Sequence, residues 1–170
     1  MFNLKKILGK GKEKKTAITL FSPVKGEVIS LSEVSDPTFA EEILGTGVAI
    51  LPEQGRVVSP VNGTVSQVFD TGHAVTLVSD EGVEVLIHIG IDTVQLKGKH
   101  YTKVAKEGAS VAIGDLLIEF DEKAIITAGY ETVTPVVICN SEDYGQFDRA
   151  SNKVVNEGDK LITLHLKEEK

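Results

Sequence analysis

Tryptophan is absent from this 170-residue chain, methionine and cysteine occur once each, and aromatic residues make up only 5% of it. One cysteine rules out a disulfide framework within the chain, and a length that can bury a sizeable core makes neither a disulfide nor a structural metal necessary for folding. That cysteine, Cys139, lies in the apolar run "TPVVICN", where a buried, unreactive thiol is expected. No apolar run reaches membrane-spanning length and no signal peptide is legible, so a cytoplasmic protein is expected. The formal charge of -7, with no basic cluster interleaved with aromatics in the body of the chain, argues against nucleic acid as a partner. A phosphate loop, a kinase signature and a set of magnesium carboxylates are all missing, which excludes ATP as a phosphoryl donor and leaves no cofactor to expect.

Valine, isoleucine and threonine are abundant, and 16 glycines and 5 prolines are scattered as punctuation. That composition predicts many short strands. The first fifteen residues, "MFNLKKILGKGKEKK", hold six lysines and one glutamate, so the remainder carries -12. Residues 1–15 are expected to be a flexible basic tail, with Met1, Leu4, Ile7 and Leu8 as an apolar face for weak contact with anionic lipid. A single domain, 16–170, follows.

Two patterns recur within it. "SPVKGEV" from Ser22 returns as "SPVNGTV" from Ser59, and "VAIGDLLI" from Val111 returns as "VNEGDKLI" from Val155. A proline that opens a strand edge, a glycine that lets the chain turn, and a Gly-Asp turn leading into an apolar strand read as a duplicated β unit. The fold expected is all-β, an antiparallel sandwich or barrel built from the duplicated motif, with one or two short helices. One helix is predicted in "SDPTFAEEILG", with Asp36 as N-cap, Pro37 at the first position, Phe39 and Ile43 a turn apart and Gly45 as the stop. "DEKAIITAG", 121–129, is the second.

"DTGHAVTLVSDEGVEVLIHIGIDTV", 70–94, reads as a hairpin that places one of the chain's four histidines on each strand. Val83, Val85, Ile87, Ile89 and Ile91 form one apolar phase, which puts His88 on the opposite face from the main core. A four-residue loop Ser79–Gly82 would set His73 opposite His88. A three-residue loop Asp80–Gly82 would shift the pairing by one and send the rings to opposite faces. Periodicity leaves both open.

The segments "VLIHIGIDTVQLKG", "FDTGHA" and "FAEEILGTGVAI", the doubled "SPV" motifs and the terminal "GDKLI" resemble the glucose-family enzyme IIA component of the bacterial phosphoenolpyruvate-dependent sugar phosphotransferase system. The resemblance runs from about Thr16 to Lys167. It implies that His88 accepts and donates a phosphoryl group, that His73 assists transfer, and that Thr71 supplies a further hydrogen-bond donor. An imidazole with an ordinary pKa of about 6.5 is largely neutral near pH 7 and suits that role. The resemblance also implies the donor HPr, an acceptor cysteine on a separate enzyme IIB with its membrane IIC permease, and an apolar docking rim at Phe39, Ile43, Phe69, Leu86 and Val94. Asp92 would orient a partner's arginine or the local turn. Leu86 stands where the family commonly has phenylalanine, and Thr38 where it commonly has an apolar residue. A monomer is expected. His100 and His165 fit no motif and are read as surface or strand residues.

Two rival readings share features with the first. In a zinc-dependent hydrolase of a related β fold, His73, His88 and Asp92 would bind metal, but no third firm ligand and no general base stand at a recognisable spacing. No intrinsic metal is expected, and zinc shared with a partner's carboxylate through His73 and His88 is the one metal role left. A biotinyl-type or lipoyl-type carrier needs a lysine at a hairpin tip, which "SDEG" lacks. A non-catalytic regulatory role on the same face would be compatible with phosphoryl transfer.

Overall fold

A computed structural model describes residues 15–168. Fourteen strands alternate with short turns: β1 (Ala17–Phe21), β2 (Gly26–Ser30), β3 (Thr46–Pro52), β4 (Arg56–Val58), β5 (Gly63–Val68), β6 (Ala74–Ser79), β7 (Glu84–His88), β8 (Tyr101–Lys103), β9 (Ser110–Val111), β10 (Leu116–Phe120), β11 (Thr134–Ile138), β12 (Tyr144–Arg149), β13 (Val154–Val155) and β14 (Lys160–Leu166). Two short α-helices, α1 (Pro37–Ala40) and α2 (Glu122–Thr127), and three 3₁₀ turns complete the described chain. An eight-stranded sheet runs β13-β2-β3-β11-β7-β6-β5-β9, and two three-stranded sheets run β1-β14-β12 and β4-β10-β8. The pairings are antiparallel throughout.

The duplication seen in the sequence is a duplication of hydrogen bonds. In each "SPV" copy the serine hydroxyl donates two residues on, Ser22 to the Val24 carbonyl at 2.8 Å and Ser59 to the Val61 carbonyl at 2.6 Å. Each copy is also locked to one Gly-Asp turn. Gly158 N–H donates to the Ser22 carbonyl at 3.0 Å and Ser22 N–H to the Asp159 carbonyl at 2.7 Å; Gly114 and Ser59 N–H repeat this with Ser59 and Asp115 at 2.9 and 2.8 Å. The earlier serine therefore joins the later turn, and the later serine the earlier turn. This crossing ties the chain's two ends into one body.

The main core fills the space enclosed by the sheets and includes Leu20, Val28, Ile50, Val65, Leu77, Ile87, Leu117, Val136 and Ile162. A second, smaller cluster lies on the outer face of the large sheet, where Leu31, Val34 and Phe39 cover Ala49, Ala74, Leu86, Ile91, Val133 and Val137. That second layer is where His88 emerges.

Two expectations need correction. The first helix keeps its Asp36 cap, whose carboxylate accepts from Thr38 N–H at 2.9 Å, but it ends at Ala40. Glu42 takes a left-handed φ of 54°, so Ile43 is not a turn above Phe39 on one helical face. Cys139 is exposed rather than buried, because β11 ends at Ile138 and the thiol falls just beyond the covered stretch. Desolvation and then the Glu84 charge push its pKa up, so it remains a thiol. The proposed tail, apart from Lys15, lies outside the described residues.

Candidate functional site

The hairpin of β6 and β7 takes the three-residue loop: Val75 pairs with Ile87 and Val78 with Glu84, and Ser79 N–H donates to the Val83 carbonyl at 2.9 Å. Strand phase then predicts separated rings. Yet the His73 and His88 centroids are 5.0 Å apart, with planes at 79°. Alternation holds only inside a strand, and β6 begins at Ala74. His73 enters from Gly72, which has a left-handed φ of 70° and sits in a turn where its N–H donates to the Phe69 carbonyl at 2.7 Å. The turn delivers the imidazole to the outer face, while Ala74, opposite His88 in the ladder, adds only a methyl there.

His88 donates from Nδ1 to the Gly90 carbonyl at 2.7 Å. This fixes the tautomer and leaves the Nε2 lone pair as the nucleophilic position. The loop that makes this bond is held from two sides. Gly90 N–H and Ile91 N–H donate to the Val133 and Glu131 carbonyls at 3.0 and 3.1 Å. The Thr93 and Tyr101 hydroxyls both donate to the Ile89 carbonyl, at 2.7 and 2.8 Å. Ile89 N–H in turn donates to the His73 carbonyl at 2.6 Å, which joins the two histidine segments through the backbone.

His73 is 4% exposed, its Nδ1 is in hydrogen-bond contact with the Thr71 hydroxyl, and its ring meets Phe69 edge-on at 5.5 Å. Burial first, and the adjacent His88 second, lower its pKa to about 4. A neutral His73 whose Nδ1 accepts from Thr71 carries its proton on Nε2 and can donate it to an oxyanion. The pKa of His88 is lowered by burial, opposed by the Gly90 hydrogen bond and by the carboxylates of Asp36 and Asp92. Both rings are therefore neutral at pH 7.

The structure divides the residues expected to form the docking rim. Ile43 and Val94 are 66% and 52% exposed, whereas Phe39 and Leu86 are 4% and 8% exposed. Phe39 and Leu86 form the floor, because α1 folds over the outer sheet face, and the Phe39 ring lies 5.0 Å from that of His88. Phe69 is half-buried beside them. Asp92 is exposed, with a left-handed φ of 59° and no side-chain cap bond. Thr93, Tyr101, Glu131 and the charge of Asp36 were not picked out by sequence reasoning. Asp36 was legible as a helix cap, but its effect on His88 depends on where α1 packs. His100 is exposed, and His165, on β14, bonds Asp148 at 2.7 Å.

A surface hollow of about 720 Å³ lies between Gly55 and Asp121, with neither ring in its lining. Among the described residues no group of three His, Cys, Asp or Glu side chains stands close enough to hold a metal ion, and the zinc-hydrolase reading finds no support. None of the described helices is long and apolar enough to cross a membrane.

An antiparallel β-sandwich with a neutral imidazole pair set in its apolar outer layer is suited to histidine-based group transfer. Comparison with known proteins gives that class a family. The family described as phosphoenolpyruvate-dependent sugar phosphotransferase system, EIIA 1, matches residues 18–144. The glucose-specific EIIA component of Buchnera aphidicola is 41% identical over 152 residues, 89% of this chain and 93% of that protein. The β-glucoside-specific EIIBCA component of Dickeya chrysanthemi is 55% identical over 137 residues, 80% of this chain. The match spans 22% of the Dickeya protein, which is therefore much longer. The solved structure of glucose permease IIA from Mycoplasma capricolum superposes with a TM-score of 0.80 at 30% identity, covering 86% of this chain and 95% of that one. The chain belongs to the glucose-type EIIA family of the sugar phosphotransferase system, whose members are phosphoryl-transferring components.

Proposed function

We propose that His88 is the phosphoryl carrier, taking the group on Nε2 from phospho-HPr and passing it to a cysteine of a sugar-specific enzyme IIB. The observation that carries this reading is the His88 Nδ1 to Gly90 carbonyl bond, because it directs the free lone pair to Nε2. In uptake, the nitrogen–phosphorus bond of the donor breaks as the bond to His88 Nε2 forms. The donor ring regains its lone pair, and His88 keeps its Nδ1 proton. In release, a thiolate attacks phosphorus and the electron pair returns to Nε2. No proton has to move at His88 in either step, so alignment and preorganised donors supply the catalysis.

His73 Nε2–H is the donor to the phosphoryl oxygens, and the Thr71 hydroxyl holds its tautomer. Asp36 and Asp92 are held off the phosphoryl group and meet a cationic side chain of the partner. Phe39 and Leu86 form the floor and Ile43, Phe69 and Val94 the rim of the docking face. Residues 16–170 act as the A domain, and the basic segment 1–15 adds weak contact with anionic lipid. Identity of 55% to the A portion of the β-glucoside component, against 41% to the glucose-specific protein, favours a β-glucoside-type IIB as acceptor.

Incubation with phosphoenolpyruvate, enzyme I and HPr, followed by mass measurement, tests the reading. One acid-labile, alkali-stable phosphoryl group should appear, and none on His88→Ala. His73→Gln should still accept phosphate and pass it on poorly. Phosphorylation of His88→Ala at the wild-type level would dismiss the assignment. The same assay with membranes and a chain lacking residues 1–15 tests the tail, which should raise the transfer rate.

A further inference from the structure

Tyr101, half-buried on β8, touches both of the segments that carry the histidines. Its hydroxyl donates to the Ile89 carbonyl at 2.8 Å, one residue beyond His88. Its stem lies on the turn before His73: a Cβ built on Gly72 would stand 3.0 Å from Tyr101 Cβ and 3.2 Å from Lys103 Cγ. Gly72 has a left-handed φ of 70°, so the turn that delivers His73 closes directly against the tyrosine.

The bonded carbonyl is well placed to fix the His88 ring. Ile89 C=O and Gly90 N–H belong to one peptide unit, which stands between His88 and the Gly90 carbonyl that accepts from its Nδ1 at 2.7 Å. The N–H of that unit donates to the Val133 carbonyl at 3.0 Å. Its oxygen takes two hydroxyls, Thr93 at 2.7 Å and Tyr101, which fill both lone pairs. Thr93 comes from the same loop, four residues along, whereas Tyr101 comes from twelve residues along and from a different sheet. Of the two, the tyrosine bond ties this peptide to the β4-β10-β8 sheet.

The chain is shaped to bring Tyr101 there. Lys97, Gly98 and His100 take φ of 54°, 90° and 76°, and a Cβ built on Gly98 would stand 3.8 Å from Thr71 Cα, so the loop runs along the His73 turn before it enters β8. Left-handed backbone is disfavoured at residues that carry a Cβ and persists where surrounding contacts over-determine it. Those contacts are Asp121 N–H donating to the His100 carbonyl at 2.9 Å, the pairing of Tyr101 with Phe120 on β10, and the packing of their rings with centroids 6.5 Å apart. Burial raises the pKa of the phenol, against the opposing effect of a hydrogen bond with Thr93, so the hydroxyl keeps the proton that it donates.

We propose that Tyr101 is a positioning residue for phosphoryl transfer, a brace that holds the Ile89–Gly90 peptide and the Gly72 turn at a fixed separation and so sets the His73 and His88 rings against each other. The inference rests on the reading of His88 as phosphoryl carrier and adds the side chain that keeps its geometry. Tyr101 acts through the backbone on either side of the pair, so loss of its hydroxyl slows the chemical step and leaves the docking face intact.

The test is Tyr101→Phe, which keeps the ring on Gly72 and removes only the hydroxyl. Transfer is measured over a range of phospho-HPr concentrations, and the ring nitrogen shifts of both histidines are measured in the unphosphorylated protein. The variant should lower kcat about fivefold with KM within about twofold of wild type, because a small misplacement slows an aligned transfer without changing the docked surface. The His88 Nδ1 and Nε2 shifts should draw together as the Gly90 carbonyl relaxes. Adding Thr93→Val leaves the Ile89 carbonyl without a hydroxyl, so the double variant should lose more than the product of the two single losses. Tyr144→Phe, the same change at a buried tyrosine in the β1-β14-β12 sheet, is the control and should match wild type in kcat, KM and ring shifts.

Tyr101→Phe that matches the control in kcat overturns the brace, and so does a fall in kcat with unmoved ring shifts or with KM raised in proportion. Single losses that simply multiply in the double variant overturn it too, since the two hydroxyls would then not act through one carbonyl. A role in packing alone would lower the urea midpoint and leave both histidine signals where they were. Failure of the wild-type chain to take up phosphate brings down the carrier reading, and the ring shifts then decide Tyr101 separately: moved shifts keep the brace and unmoved shifts remove it.

Discussion

Acidification from pH 7.5 to 5.0 should cost this protein about 2 kcal/mol of stability through His73 alone. The surrounding side chains and the neighbouring imidazole lower the folded pKa from 6.5 to about 4, whereas the unfolded chain keeps the ordinary value. Above pH 6.5 the ring is neutral in both states, and its burial carries no proton-linked penalty. Below 6.5 the unfolded ring gains a proton that the folded ring refuses. Stability is therefore lost progressively as pH falls, until the folded ring also titrates near pH 4. Integrating the difference gives about 2 kcal/mol at pH 5.0 and about 3 kcal/mol at pH 4.

Other groups titrate in the same range, so the informative quantity is a difference between two proteins. His73→Gln fills similar space and cannot protonate. Because the chain has no tryptophan, urea unfolding is followed by far-ultraviolet circular dichroism at pH 7.5 and 5.0, with the slope m compared to confirm an unchanged denatured state. Wild type should lose about 2 kcal/mol more than His73→Gln on acidification. Equal losses would refute the claim that His73 is held neutral by its surroundings. The same physics bears on transfer, because a phosphoryl group on His88 brings nearly two negative charges beside His73 and must raise its pKa. Histidine ring resonances followed against pH should show that rise on phosphorylation.

Gly90→Ala places a Cβ 2.5 Å from Thr93 Cγ2 and 2.8 Å from the Glu131 carbonyl oxygen, at a φ of 90°. It should destabilise the protein by about 2–4 kcal/mol and release the His88 Nδ1 tautomer; urea unfolding and ring nitrogen shifts measure both, and wild-type values in each would contradict the geometry. Asp36→Asn keeps a capping acceptor for Thr38 but removes a charge that favours the protonated His88. Stability should change by less than about 0.5 kcal/mol, while the His88 pKa moves further down; an unmoved titration would show that Asp36 does not act on the ring.

The sequence by itself determined the elements and their kinship. Local rules suffice for a strand with apolar residues at every second position from Val83 to Ile89, for an Asp36–Pro37 helix start, and for the Ser-Pro-Val and Gly-Asp turns, because each depends on side chains a few bonds from the backbone they shape. His73 and His88 were legible as residues of interest for the same reason, and the family motifs added their chemistry. Only the tertiary structure decided how these pieces meet. The hairpin chose the register that strand phase assigned to separated rings, and a left-handed turn at Gly72, just outside β6, brought them together again. Phe39 and Asp36 reach His88 only because α1 packs on the outer sheet face, and Lys103 lies against Gly72 only because β8 is held there by its pairing with β10. Such contacts are set by which surfaces find each other when the whole core closes, a condition that no local pattern carries.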